Sequence, residues 1–342
     1  MKILLTGDRG YIGSVLGPIL IANGYDIVGL DVGYYQENIL IKDHSEYPKI
    51  TKDIRDIDLN DLDGIDAVIH LAGLSNDPLG EFSPKLTEEI NFEATVNLAE
   101  LSKKAGITRF VYSSSQSMYG VSDSEEELDE DNSNKNPVSA YAIEKWRAEQ
   151  AINQMSAPDF IVTSMRPSTV FGASPRLRCD IVFNSLVACA YTTGKIEILS
   201  DGTPWRPVVH VKDVSSAFLA GLQAPAEIVS GRGFNVGIEN GNYTVRDLAE
   251  AAQRAVPGSE LIFTGEHGSD SRTYKVSFNR ILSDLKDFYK PEWDLDKGGK
   301  ELVDFFKQID FSEKQFRGRE CVRLKQLMSL QERQLIDNNL RF

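Results

Sequence analysis

The 342-residue chain carries 37 Lys and Arg against 51 Asp and Glu, a formal net charge of −14, which argues against a nucleic-acid partner because such binding needs clustered cations. Its length suits a large α/β domain with a smaller lobe, and its 41% apolar and 26% charged residues are those of a soluble globular protein. No run approaches the roughly 18 apolar residues of a membrane span, and Gly7-Asp8-Arg9 breaks the apolar start too early for a signal peptide. Three scattered cysteines and four isolated histidines set the expectation of a reducing, cytoplasmic setting without a metal site.

Along the first half, Lys2–Leu5, Ile27–Leu30, Ala67–Leu71, Phe110–Tyr112 and Phe160–Thr163 read as parallel strands buried on both faces. Between them lie helical patterns at Tyr11–Asn23, Lys85–Ala105 and Ala140–Gln154, the second opened by Ser83-Pro84 and closed by Gly106. This alternation predicts a Rossmann-type, doubly wound parallel sheet over residues 1–166. The acidic run 122–132 reads as a solvated loop. Beyond Arg166 the strands shorten to Ile196–Leu199, Pro207–Val211 and Phe234–Val236. Residues 167–342 are therefore expected to be mostly a smaller α/β lobe, with strands from about 205–237 returning to the large sheet. In the tail, Leu324, Leu327, Leu330 and Leu335 suggest a packing helix.

Strand Lys2–Thr6 runs straight into Gly7-Asp8-Arg9-Gly10-Tyr11-Ile12-Gly13 and then a helix. Glycines there allow a sharp turn, close approach of backbone N–H groups to a diphosphate, and tight helix–strand packing. The helix N-terminus adds partial positive charge. Asp31 ends the next strand, where a carboxylate accepts the ribose hydroxyls and repels a 2′-phosphate, so the unit points to NAD. Arg9 is the dissenting residue, since it suits a 2′-phosphate. Asp53, followed by Ile54, reaches toward the adenine in this reading, although a capping role fits Asp53 equally well.

A second constellation is Ser115 with Tyr141 and Lys145. Tyr141 and Lys145 are four apart on a predicted helix and share a face. Tyrosine is a poor base unless its phenolate is favoured, and a neighbouring ammonium does that. Tyr141 can then take a proton from a hydroxyl as hydride leaves the same carbon, while Ser115 at a strand end orients the oxygen.

With these residues on the page, the ordered motifs TGDRGYIG, HLAG (70–73), YSSSQSMYG (112–120), YAIEK, RPSTVFG (166–172) and WRPVVHVKDV (205–214), with Asn91, resemble the extended short-chain dehydrogenase/reductase family over roughly residues 1–310. The likeness is to its nucleotide-sugar epimerase/dehydratase branch. It implies that Leu71, Ala72 and Gly73 line the cofactor on its nicotinamide side and that Asn91 lies near the catalytic groups. It implies further that Asn184 and Arg206 hold the substrate diphosphate, that Arg272 is a second phosphate partner, and that Arg176 and Arg178 sit at the substrate rim. Each arginine read alone suits a surface ion pair as well, and His210 suits a structural role. Thr169 stands where the family often has Asn. Gln116-Ser117 stands where 4,6-dehydratases carry Asp-Glu, which disfavours water elimination. The resemblance thus implies an NAD-dependent 4-epimerase of a nucleotide-diphosphate sugar, working through a 4-keto intermediate as a homodimer packed through helices 85–105 and 140–154. The alternatives are a net dehydrogenase or 4-ketoreductase, a dehydratase, and a non-catalytic NAD-sensing protein of the same fold. Retention of both Tyr141 and Lys145 speaks against the last.

Overall fold

The computed structural model describes residues 1–42, 46–121, 126–265 and 273–342. Strands β1 (Lys2–Thr6), β2 (Asp26–Asp31), β3 (Lys49–Thr51), β4 (Ala67–His70), β5 (Arg109–Ser113), β6 (Ile161–Pro167) and β10 (Arg232–Val236) form a parallel sheet in the order β10-β6-β5-β4-β1-β2-β3. Successive side chains alternate faces. Ile3, Leu5, Ile69 and Val111 meet Leu16 and Leu20 of helix Gly13–Ala22 and Val214 and Phe218 of helix Val211–Gln223. Leu4, Val28, Leu30, Val68 and Phe110 meet Leu98 of helix Ala94–Lys104 and Ala148 and Ile152 of helix Ala140–Asn153. Burial on both faces is why these strands read as continuous apolar runs.

The smaller lobe continues from β7 (Thr169–Phe171). It holds the parallel pair β8 (Lys195–Ile198) and β12 (Glu260–Phe263), and a three-stranded sheet in which β9 (Trp205–His210) lies between β7 and β11 (Asn242–Thr244). Helices Val182–Thr193, Val245–Ala255 and Leu295–Gln308 enclose its core around Phe183, Val187, Leu248, Leu302 and Phe306.

Several expectations are corrected. Of the stretch expected to return to the large sheet, β10 does so, whereas β9 pairs in the lobe, Val208 opposite Thr169. The helix that follows β9 then covers the large sheet. The expected helix 85–105 is three pieces, Pro84–Thr87, a π-helical turn Glu88–Glu93, and Ala94–Lys104. The tail helix Arg323–Glu332 is the packing helix expected: Leu327 and Leu330, joined by Ile336 and Leu340, sit in the large sheet's cluster and Leu324 packs against it, whereas Leu335 is exposed. Of the acidic run, 122–125 lies outside the described residues. Its remainder is not simply solvated: Leu128 is buried and bridged to Val276, and buried Glu130 accepts the Asn235 N–H at 2.9 Å. No helix among the described residues is long and apolar enough to cross a membrane.

Candidate active site

At the C-terminal edge of the parallel strands, between sheet and lobe, lies a cleft of about 420 Å³. Open α/β sheets place ligands at this edge. Gly7 (φ +76°) turns the chain out of β1, and its N–H donates to the Leu30 carbonyl at 2.8 Å. A Cβ at Gly13 would lie 2.2 Å from the Gly7 oxygen, so only glycine lets the helix start against this turn. Helix Gly13–Ala22 has no side-chain cap and no acidic residue in its first turn. The N–H groups of Ser14, Val15 and Leu16 already bond the Gly10 and Ile12 carbonyls, so what the helix offers an anion is the positive end of its dipole and the glycine loop ahead of it. Gly7, Gly10, Tyr11, Ile12 and Gly13 line the cleft with Asp31, Asp53, Ile54, Leu71, Ala72 and Gly73. The cradle therefore fits a dinucleotide.

Asp31 accepts the Gly33 N–H at 2.7 Å, while burial pushes its carboxyl above the usual range against the pull of that bond and of Arg9. Arg9 does not line this cleft: it lines a separate side cavity and donates to Thr51 Oγ1 at 2.9 Å. Its charge nevertheless acts on Asp31, so Arg9 stays beside the ribose-binding carboxylate. Asp53 borders the cleft, but its carboxylate caps the turn Ile54–Asp56 and pairs with Arg55 at 2.6 Å, the capping alternative. Asn91 is fully buried and outside the lining. Its amide accepts from Leu74 N–H (2.8 Å) and donates to Leu74 O (2.9 Å), so it fixes the 72–74 turn instead of touching a ligand. The π-helical turn carries it there.

The second half of the cleft holds Ser115, Tyr141 and Lys145 together. Ser139 caps the Tyr141 helix, with Ala142 N–H donating to Ser139 Oγ at 3.2 Å. Gly80 lets helix Asp77–Phe82 press on Tyr141, since a Cβ there would lie 2.8 Å from Tyr141 Cβ. Lys145 Nζ donates to Ser113 O at 2.8 Å and sits 4.9 Å over the Tyr112 ring. Burial pushes the Lys145 ammonium down to about 7. Burial also pushes the Tyr141 phenol up to about 12, opposed by hydrogen bonding with Ser115 and by Arg178. The expected lowering of Tyr141 by Lys145 is not what shapes this phenol: desolvation dominates, and the groups that pull it down are Ser115 and Arg178. Ser115 Oγ accepts from Ser117 N–H (3.1 Å) and Ser117 Oγ (2.8 Å), which leaves the Ser115 proton for Tyr141 or a reacting oxygen. Beneath them a buried bidentate pair, Arg166–Glu149 at 2.6 Å, accepts Ser114 Oγ on the carboxylate side.

Toward the lobe, Gln116, Thr169, Arg178 and Arg206 line the cleft. Gln116 Nε2 donates to the carbonyls of Arg166 (3.0 Å) and Val236 (3.2 Å); its buried Oε1 has no partner among the described residues. Two flanking acceptors fix the amide orientation. Arg178 pairs with Asp180 at 2.8 Å and donates to Ser75 Oγ at 3.0 Å, and Arg206 Nη1 donates to Trp205 O at 2.9 Å. Arg176 lies in the side cavity, where Nη1 holds the Tyr35 and Gln36 carbonyls. Asn184 does not reach the cleft. Its buried amide accepts the Gly172 N–H and donates to Tyr11 Oη and Arg178 O, which commits it to joining loop and lobe. Arg272 lies outside the described residues. His210 is a buried structural histidine, stacked on Trp293 at 4.1 Å and bonded to Glu301 at 2.8 Å. Sequence reasoning missed Ser168, whose buried Oγ has no partner among the described residues, and it missed Tyr274, Asp180 and Arg323 in the lining. A serine two residues past a strand arginine carries no local signal.

Residues 3–237 match the model of the NAD dependent epimerase/dehydratase family. A putative UDP-glucose 4-epimerase of Methanocaldococcus jannaschii is 30% identical over 317 residues, 89% of this chain and 98% of that protein. The UDP-glucose 4-epimerase of Mycolicibacterium smegmatis is 30% identical over 320 residues, 90% of this chain and 99% of that protein. Among solved structures, MoeE5 in complex with UDP-glucose and NAD is similar at TM-score 0.76 and 25% identity, covering 90% of this chain and 99% of that one.

Proposed function

Since the chain belongs to the NAD-dependent epimerase/dehydratase family, we propose that it inverts C4 of a nucleotide-diphosphate sugar. The observation that carries this reading is the grouping of Ser115, Tyr141 and Lys145 beside the dinucleotide cradle, with Gln116-Ser117 and no carboxylate pair next to Ser115. Gln116 spends its amide N–H groups on two carbonyls and its Oε1 is buried, so its side chain has no proton to give a leaving hydroxyl. The cleft carboxylates nearby are engaged, Asp180 with Arg178 and Asp77 with Ser139 Oγ. Among the described residues, no carboxylic acid stands beside Ser115 to serve water elimination. Relatives named as UDP-glucose 4-epimerases along nearly their whole length support the same choice.

NAD, when bound, supplies reversible acceptance of hydride from the carbon bearing the reacting hydroxyl. Tyr141 Oη takes the proton of that hydroxyl, and Ser115 orients the oxygen. Lys145 is anchored on Ser113 O. Pushed down to about 7 by burial, it is partly protonated at neutral pH, and that protonated fraction supplies the positive charge beside the phenolate. Arg178 and Arg206 hold the diphosphate while the 4-keto sugar presents its other face, and Tyr141 then returns the proton. The proposal extends to a homodimer and to the cytoplasm, both on the resemblance and the composition.

With a panel of nucleotide sugars and no added cofactor, the purified chain is expected to give the C4 epimer at equilibrium with no net change in NADH absorbance. Stoichiometric consumption of NAD or NADH would overturn epimerisation in favour of a net dehydrogenase. Asp31→Ala is expected to weaken NAD about 10-fold or more, as loss of charged hydrogen bonds does. It should also narrow discrimination against NADP. Equal NAD:NADP dissociation-constant ratios in wild type and variant, by fluorescence titration, would contradict the role given to Asp31.

A further inference from the structure

Residues 319–342 lie beyond the stretch that matches the family model, yet they build against one wall of the cleft. Asn38 Nδ2 donates to Arg319 O at 2.7 Å, and Gln326 Nε2 donates to Tyr34 O at 2.9 Å. Tyr34 Oη donates to Leu340 O at 2.5 Å, and Phe342 stacks on the Tyr34 ring at 5.7 Å. Arg341 pairs with Asp56 and approaches Asp53 to 3.4 Å. The turns after β2 and β3, next to Asp31, are thus held by the C-terminal segment.

Within that segment Arg323 is 2% exposed, and it lines the cleft. Its guanidinium lies 4.5 Å over the Tyr35 ring, Nη2 donates to Arg176 O at 2.6 Å, and its backbone N–H reaches Asp180 at 3.3 Å. Nη1 is buried without a hydrogen-bond partner among the described residues. Asp180 is already ion-paired with Arg178. Burial and the neighbouring Arg178 push the guanidinium down to about 10, so it stays charged at neutral pH. A buried cationic N–H left unmade is expensive, and an anion is its natural partner. The position selects the anion. Tyr35, under Arg323, follows β2 four residues after Asp31, and all three line the same cleft. The 174–176 loop that Arg323 grips is tied to the glycine loop, Ser174 Oγ to Tyr11 O at 2.8 Å. Between a ribose-binding carboxylate and a glycine loop lies the place of a dinucleotide's diphosphate.

We propose that Arg323 donates through Nη1 to the diphosphate of the bound dinucleotide, so that the C-terminal segment completes the cofactor site. The inference rests on the NAD reading above. The test uses nucleotide-stripped full chains, titrated calorimetrically with ADP-ribose, adenosine and UDP, together with the NAD content of the protein as purified. Arg323→Met is expected to bind ADP-ribose about 10- to 100-fold more weakly, to hold adenosine within about twofold, and to purify with less NAD. Arg323→Lys, which keeps charge and stem, is expected to fall between and serves if the Met variant does not fold. Unchanged ADP-ribose affinity in a folded variant overturns the proposal. Equal losses for ADP-ribose and adenosine overturn it too, since that marks a packing role. A loss confined to UDP gives the anion to the substrate and also overturns it. A wild type that binds no ADP-ribose overturns the cofactor reading itself, and this inference with it.

Discussion

Tyr141→Phe is expected to lower kcat about 10³-fold, the scale of a lost general acid–base group, while the protein keeps its stability and its bound NAD. The ring stays, so the contacts that seat it against Gly80 stay. What goes is the one hydroxyl bonded to Ser115 that can carry the proton. Lys145 is a poor replacement, because its Nζ is turned to Ser113 O. Ser115, with a serine pKa far above neutrality and two donors already on its oxygen, cannot accept the proton either. Single-turnover measurements with saturating nucleotide sugar separate chemistry from binding. A variant with kcat within tenfold of wild type would remove Tyr141 from the proton path. A biological role that survived intact would favour the NAD-sensing alternative.

Glu149→Ala is expected to be among the most destabilising single changes, at about 3–5 kcal/mol, because it strands a buried charge. Arg166 and Glu149 are both almost fully buried, 5% and 0% by side chain, and bonded through two guanidinium nitrogens. The variant leaves the Arg166 charge uncompensated and removes the acceptor of Ser114 Oγ. Arg166 also offers its carbonyl to Gln116, so damage spreads along β6 toward the catalytic edge. The double variant Arg166→Met/Glu149→Leu is expected to recover much of the loss, since an apolar pair of similar volume avoids the desolvation cost. Denaturant unfolding of the three proteins decides it. A double variant no more stable than Glu149→Ala would mean that the pair's hydrogen bonds, not its stranded charge, set the cost.

The legible parts of this fold are those whose burial is local in sequence. Parallel strands covered on both faces leave unbroken apolar runs, and β1, β2, β4, β5 and β6 were found within a residue or two at most edges, though β6 extends four residues further. The glycine loop and Asp31 were legible because backbone geometry demands those residue types. Helix 84–104 was misread as regular because a single π turn adds one residue without disturbing the apolar stripe enough to show. β9 was misplaced because an apolar run announces burial and not its partner; here the partner is Thr169–Phe171. Asn184 is positioned as the family resemblance implies in sequence, yet its side chain turns inward to Gly172 and Arg178. Arg323 had no local signal at all. Its contacts are with residues 176 and 35, and such separations are invisible to periodicity.

The chain passes repeatedly between sheet and lobe, at 167–169, at 210–211, at 236–242 and again before 323. Glu301 of the lobe adds a tie to His210 and Lys212, where β9 hands over to a sheet-covering helix. Two bodies joined by one or two strands can swing apart like jaws. Here the covalent crossings, with Tyr11, Gly172 and Asn184 bonded across the junction, remove most of that rigid-body freedom. A nucleotide seated between them would then leave through movement of loops and not of the whole lobe. A cofactor held that way would suit a reaction that hands it back unchanged.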